Sequence, residues 1–134
     1  MKVRNGIDIT ETARMRKIID EGNSAFADRV FTLEEREYCS SSESDRVKAE
    51  RYAARYAAKE AAAKALGTGI CTKGIGFQDI EVTKDEAGAP LLRLSGKALE
   101  RAKEIKVLSM ALSITHEKDY AAAAVTLLTD EEEF

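Results

Sequence analysis

The stretch from Arg55 to Gly69, Arg-Tyr-Ala-Ala-Lys-Glu-Ala-Ala-Ala-Lys-Ala-Leu-Gly-Thr-Gly, holds the residues most able to do chemistry. Residues four apart share one face of a helix. Tyr56, Glu60 and Lys64 therefore line up one turn from each other, just before a glycine turn. A carboxylate that could hold a cation stands beside an ammonium that could meet a phosphate. The same Glu-to-Lys spacing is also the commonest solvated decoration of a helix, so spacing alone leaves both readings open. Asp8 follows Gly6 and Ile7 at a strand-to-helix junction, where a ligand contact and a local capping contact are equal readings. His116, the single histidine, ends an apolar run beside a turn. It suits a structural hydrogen bond before it suits a phosphate or ribose contact.

The elements that must position these groups can be read from periodicity. Apolar residues at 3, 7 and 9 predict a strand over 2–10, with Ile7 and Ile9 inward and Asp8 on the opposite face. Thr10 then caps a helix over 11–21. After Gly22-Asn23-Ser24, residues 26–31 form a short helix or turn that anchors two aromatics. Thr32 with Glu35 reads as a capping box opening another helix. From residue 44 or 45 the chain can run helical to Leu66, roughly 33 Å at 1.5 Å per residue. Eight alanines lie between Ala53 and Ala65, giving a small face that a backbone or ligand can approach closely. Gly67 supplies the left-handed residue that ends such a helix. Its C-terminus repels anions unless cations compensate, and Lys64, with Lys73, could do so. The glycines at 67, 69, 74 and 76 match no Walker or dinucleotide fingerprint.

Beyond residue 76 the pattern changes to alternation. Residues 77–83 and 91–94 form a hairpin around the turn Asp85 to Pro90, Ser95 caps a helix over 96–104, and 107–115 with 120–128 form a second hairpin. Helices followed by mainly antiparallel strands make this an α+β domain, the long helix and shorter helices packing on one side of the sheet.

At 134 residues the chain is one domain, residues 1–134, with an acidic tail over 129–134 that reads as solvated. Its net charge of −3 gives no global attraction to nucleic acid or a membrane, so any basic surface is local. Cys39 and Cys71 are too few and too isolated for a disulfide framework or zinc cluster. Without a secretory apolar segment or a long apolar run, the reading is a reducing cytoplasm.

Three separated segments then fit one family: Gly6-Ile7-Asp8 with Arg14; Arg55 to Glu60 with Lys64 and Gly67-Thr68-Gly69; and Leu112 to His116 with Tyr120 and the alanines after it. Together, over roughly residues 3–128, they resemble the holo-acyl-carrier-protein synthases, the small stand-alone 4′-phosphopantetheinyl transferases. Residues 77–82 and the Gly88-Ala89-Pro90 turn share the resemblance. It implies that coenzyme A gives its 4′-phosphopantetheine arm to a serine of apo acyl carrier protein, for fatty acid biosynthesis, releasing adenosine 3′,5′-bisphosphate.

The resemblance further implies magnesium on Asp8 and Glu60. Mg²⁺ commonly uses one or two carboxylates plus substrate phosphates, which suits that pair. Asp8, Glu60 and Lys64 would then be catalytic, Lys64 meeting charge on the leaving group. Glu60, directly or through a metal-bound water, or else Asp8, would accept the serine proton. Arg55, Lys64, Gly67, Thr68 and His116, with Pro90 near the adenine end, would touch coenzyme A. A homotrimer with sites between subunits is implied too. The acidic carrier would dock on a basic first helix through Arg14 and Arg29, with Arg16 and Lys17 nearby. Asp20, Glu21 and Asp28 interrupt that region, and Tyr56 stands where the family pattern has Phe. The rival reading is a trimeric scaffold of this fold without catalysis, which would need no carboxylate pair; a nucleotide-using magnesium phosphotransferase lacks its phosphate loop.

Overall fold

The computed structural model describes residues 1–22 and 24–132. Asn23 of the Gly22 break and the last two residues of the acidic tail, Glu133 and Phe134, lie outside the described residues. The order is β1 (Lys2–Glu11), α1 (Thr12–Asp20), α2 (Ser24–Val30), α3 (Leu33–Ser40), α4 (Asp45–Leu66), β2 (Ile80–Lys84), β3 (Pro90–Leu94), α5 (Gly96–Glu104), β4 (Val107–His116) and β5 (Tyr120–Thr129). β1, β5 and β4 form one antiparallel sheet in that order, and β2 pairs with β3 in a separate hairpin. The α+β reading holds.

α4 is the axis. Ser44 accepts the Val47 N–H at its start, and Gly67 closes its end at φ +79°. Alanines 57, 58, 61, 62, 63 and 65 are all buried, against β5 and the β2 side of the core. A second core joins α1, α2 and α3 to the first half of α4 around Met15, Phe31 and Tyr52.

Ile7 and Ile9 face the other way from the expectation. They are 65% and 64% exposed, while Gly6 and Thr10 are buried and Asp8 is half-buried. Alternation separates two faces of a strand without saying which one is covered. The alanine helix decides it. A Cβ on Gly6 would lie 2.0 Å from the Ala61 carbonyl oxygen and 2.7 Å from the Ala65 nitrogen. Only a face that begins with glycine lets α4 lie this close, so Asp8 turns toward the helix and the isoleucines turn away.

Other local readings are corrected in the same way. Thr10 is not the cap of α1: Glu11 holds that place without a side-chain bond, and the Thr10 hydroxyl donates to Asp8 Oδ2 at 3.3 Å. Ser95 precedes α5 without capping it by its side chain. Residues Phe77–Asp79 form a single 3₁₀ turn ahead of β2, because the Asp79 carboxylate takes the Gly76 N–H (3.0 Å) and Lys59 takes the Phe77 carbonyl (3.0 Å). Thr32 and Glu35 do form the capping box, which is worth roughly 1 kcal/mol. The tail is not wholly solvated. Glu131 accepts a fork from Arg4 at 2.8 and 2.9 Å, and that pairing, with the Thr129 hydroxyl, lowers its carboxyl to about 2.

Candidate active site

β1 and α4 meet side by side, and Asp8, Glu60 and Lys64 converge on the seam. The Lys64 ammonium does not stay on its own helix. It crosses to β1, donating to the Ile7 carbonyl at 2.9 Å and reaching Asp8 Oδ1 at 3.2 Å. Glu60 stands one turn before it, half-buried. Burial raises the Glu60 pKa above the ordinary carboxylate range, and the negative charge of Asp8 raises it further. A hydrogen bond from Tyr56 and the charges of Lys64 and Arg14 act against that rise. Two carboxylates that repel each other across a seam make a place where a cation would be favoured. Among the described residues no third histidine, cysteine or acid completes an all-protein metal cage. The donor set therefore fits a hard cation that takes its remaining oxygens from water and a phosphate, as Mg²⁺ does.

Gly67 and Thr68 follow Lys64 by one turn. Thr68 and Gly69 both donate their N–H groups to the Ala63 carbonyl (3.2 Å each), which folds the loop back over the helix end. Among the described residues, Arg101 meets this end, its Nε donating to the Leu66 carbonyl at 2.9 Å, and the Arg4 guanidinium lies beside Gly67 as well. Lys64 is occupied on β1 instead. Nothing in the local sequence signals Arg101, which comes from α5, thirty-five residues away.

Arg14 and Arg29 are both exposed and share one aromatic patch. Arg14 lies 5.6 Å from the Tyr56 ring centre, Arg29 lies 5.9 Å from that of Phe26, and the two rings are 6.1 Å apart. Of the acids that interrupt this region, Asp20 pairs with Arg16 of the same helix at 3.3 Å, and Asp28 pairs with Arg36 at 2.6 Å. Tyr56 thus touches both the Glu60 seam and the basic surface.

The remaining candidates do not join that cluster within one chain. Arg55 points from α4 toward α3 and β2, where it is 93% buried, its guanidinium 4.1 Å from the Tyr38 ring centre. Its Nε finds no hydrogen-bond partner. Lys84 lies over the same ring at 3.5 Å, and Pro90 pairs with Lys84 across the hairpin. Burial raises the Tyr38 pKa, yet the Lys84 hydrogen bond and charge, with Arg51 and Arg55, outweigh it and bring the phenol below its usual value. Tyr38 and Lys84 were not legible beforehand, because Lys84 reaches that ring from 46 residues further along the chain. His116 sits at the exposed end of β4, its Nδ1 3.9 Å from a Glu50 oxygen. Glu50 lies ten residues before Glu60, about 15 Å along the axis.

The family model described as the 4′-phosphopantetheinyl transferase superfamily matches residues 4–125. The chain belongs to this superfamily. It is 44% identical over 131 residues to a holo-[acyl-carrier-protein] synthase of Ruminiclostridium cellulolyticum, covering 97% of this chain and 96% of that one. It is 46% identical over 122 residues to one of Maridesulfovibrio salexigens (91% and 94%). Among solved structures it is similar to the holo-(acyl-carrier-protein) synthase of Bacillus anthracis in complex with coenzyme A (3′,5′-ADP), with a TM-score of 0.74, 39% identity and coverage of 92% and 94%. The whole chain, not one motif, carries the phosphopantetheinyl transferase pattern.

Proposed function

We infer that this chain is a holo-acyl-carrier-protein synthase, moving 4′-phosphopantetheine from coenzyme A to a serine of apo acyl carrier protein. The observation that carries this reading is Lys64 bridging from α4 to Asp8 beside Glu60, in a chain of that superfamily. The serine oxygen attacks the β-phosphorus of the pyrophosphate, a new P–O bond forms, and the bond to adenosine 3′,5′-bisphosphate breaks. Glu60 takes the serine proton at its carboxylate, directly or through a bound water. Lys64 donates to the oxygen on which charge grows as the bisphosphate leaves. Asp8 and Glu60 would hold Mg²⁺, whose charge offsets that of the pyrophosphate.

Arg55 supports the same reading from another side, since a buried guanidinium with an unmet N–H calls for an anionic acceptor. With Pro90 and His116 it would hold coenzyme A, and Gly67 and Thr68 would line the phosphates beside Lys64. These two sets lie apart in one chain, and the outer face of the sheet bears Val3, Ile7 and Ile9 uncovered. Three copies packed on that face would cover it and let one subunit's Arg55 and His116 meet another's Asp8 and Glu60. The acidic carrier would dock on Arg14 and Arg29. No helix among the described residues is long and apolar enough to cross a membrane. Free Cys39 and Cys71 suit a reducing cytoplasm.

Incubated with coenzyme A, Mg²⁺ and an apo carrier, the protein is expected to raise the carrier's mass by one phosphopantetheine. A folded protein that leaves several carriers unchanged would instead be the scaffold. Lys64→Ala should slow transfer by about 10²–10³-fold, the scale of losing one preorganised charge contact. A loss below threefold makes Lys64 a surface tether between α4 and β1.

A further inference from the structure

Lys59 and Glu35 take no part in the site, yet their side chains are both fully buried, 0% exposed. Lys59 Nζ reaches Glu35 Oε1 at 2.7 Å and donates to the carbonyls of Phe77 (3.0 Å) and Ile80 (2.6 Å), which uses all three of its N–H bonds. Glu35 also accepts the N–H of Thr32 through Oε1 and that of Val82 through Oε2, both at 2.9 Å. A buried pair of this kind adds little stability over well-packed apolar side chains of the same volume. What it specifies is geometry, because α3, α4 and β2 satisfy these groups in only one rotation and one register.

The consequence falls on the neighbouring pocket. Three of the elements that give a group to the ion pair, α3, α4 and β2, also give one to the pocket around Tyr38. On α3, Tyr38 follows Glu35 by three residues; on α4, Arg55 precedes Lys59 by four; on β2, Lys84 follows Val82 by two. On a helix, spacings of three and four share a face, and on a strand so does a spacing of two. The cavity lined by Tyr38, Arg55, Thr83 and Lys84, with a volume of about 290 Å³, also has Glu35 in its wall. Thr32 extends the clamp, its hydroxyl donating to Glu81, which in turn is held by Arg93.

We propose that the buried Glu35–Lys59 pair is a positioning device that sets Arg55, Tyr38 and Lys84 as one anion pocket; it rests on the coenzyme A reading above. The pair touches no substrate and acts through Arg55.

The test replaces the pair as a unit, Glu35→Leu with Lys59→Met, and measures coenzyme A binding by calorimetry on the intact protein without carrier. The double variant leaves the Thr32 and Val82 N–H groups and the Phe77 and Ile80 carbonyls without these partners. It is therefore expected to melt below the parent and, measured where it is folded, to bind coenzyme A about tenfold more weakly, the scale of one misplaced charged hydrogen bond. Added to Arg55→Ala, the same pair of changes should cost less than about twofold more, since coupled residues are not additive. Unchanged affinity, or a full tenfold loss on top of Arg55→Ala, overturns the proposal. If the double variant does not fold, Glu35→Gln, which keeps the shape and one of the two acceptor oxygens, is expected to weaken binding about threefold with the same non-additivity. Its binding as the parent does would equally overturn the proposal. No binding to the parent protein overturns the coenzyme A reading itself, and this inference with it.

Discussion

Asp8→Ala should remove carrier modification almost entirely, lowering the transfer rate by more than about 10³-fold while the chain stays folded. Three functions meet at this carboxylate. It holds the Lys64 ammonium at 3.2 Å, it accepts the Thr10 hydroxyl at 3.3 Å, and it raises the Glu60 pKa by like charge. Without it Lys64 keeps only the Ile7 carbonyl, and one of the two proposed oxygen ligands for Mg²⁺ is gone. The fold should survive, because Asp8 is only half-buried and contributes no apolar area to either core. Carrier mass followed over time, beside a thermal melt, checks both halves. A variant that retains more than a tenth of the parent rate removes Asp8 from the site.

Gly6→Ala is the second large effect, and it starts from backbone alone. The added methyl would meet the Ala61 carbonyl at 2.0 Å and the Ala65 nitrogen at 2.7 Å, neither of which can rotate aside. β1 and α4 must separate. Overpacking of this sort costs about 3 kcal/mol, a fall in melting temperature of roughly 10 °C for a chain of this size. Separation also carries Asp8, two residues along the strand, away from Glu60 and Lys64. A misplacement of about 1 Å can cost on the order of 10²-fold in rate, so transfer should fall by that much even where the variant is fully folded. A melt within two degrees of the parent, with undiminished transfer, would show that the seam tolerates a wider gap.

Much of the fold was legible because its signals are local. The capping box at Thr32, the left-handed Gly67, the alanine-rich helix and the β4–β5 hairpin depend on neighbours within a few residues and appear where they were expected. The first hairpin forms with its leading strand starting at Ile80, three residues later than expected. The face of β1 was not legible. Ile7 and Ile9 are more apolar than Gly6 and Asp8, and a rule that buries the larger apolar residue selects the wrong side. That rule fails because the helix opposite presents alanines, which leave no depth for an isoleucine but admit a glycine closely. The full compensation of the helix end was not legible for a related reason. Lys64 was in sequence reach, whereas Arg101 is brought there only by the packing of α5.

The site divides along the same line. The sequence by itself pointed to the superfamily, named Asp8, Glu60 and Lys64 as candidates, and set the one-turn spacing of Glu60 and Lys64, because residue type and helical period are local properties. Only the tertiary structure decided that Lys64 pairs with a strand carboxylate and not with the glutamate on its own helix. It also decided that Arg55 joins Tyr38 and Lys84 in a pocket away from that seam, with Lys59 and Glu35 buried behind it. Those pairings join elements distant in sequence, and they follow from which faces can approach closely and which buried charges must be satisfied.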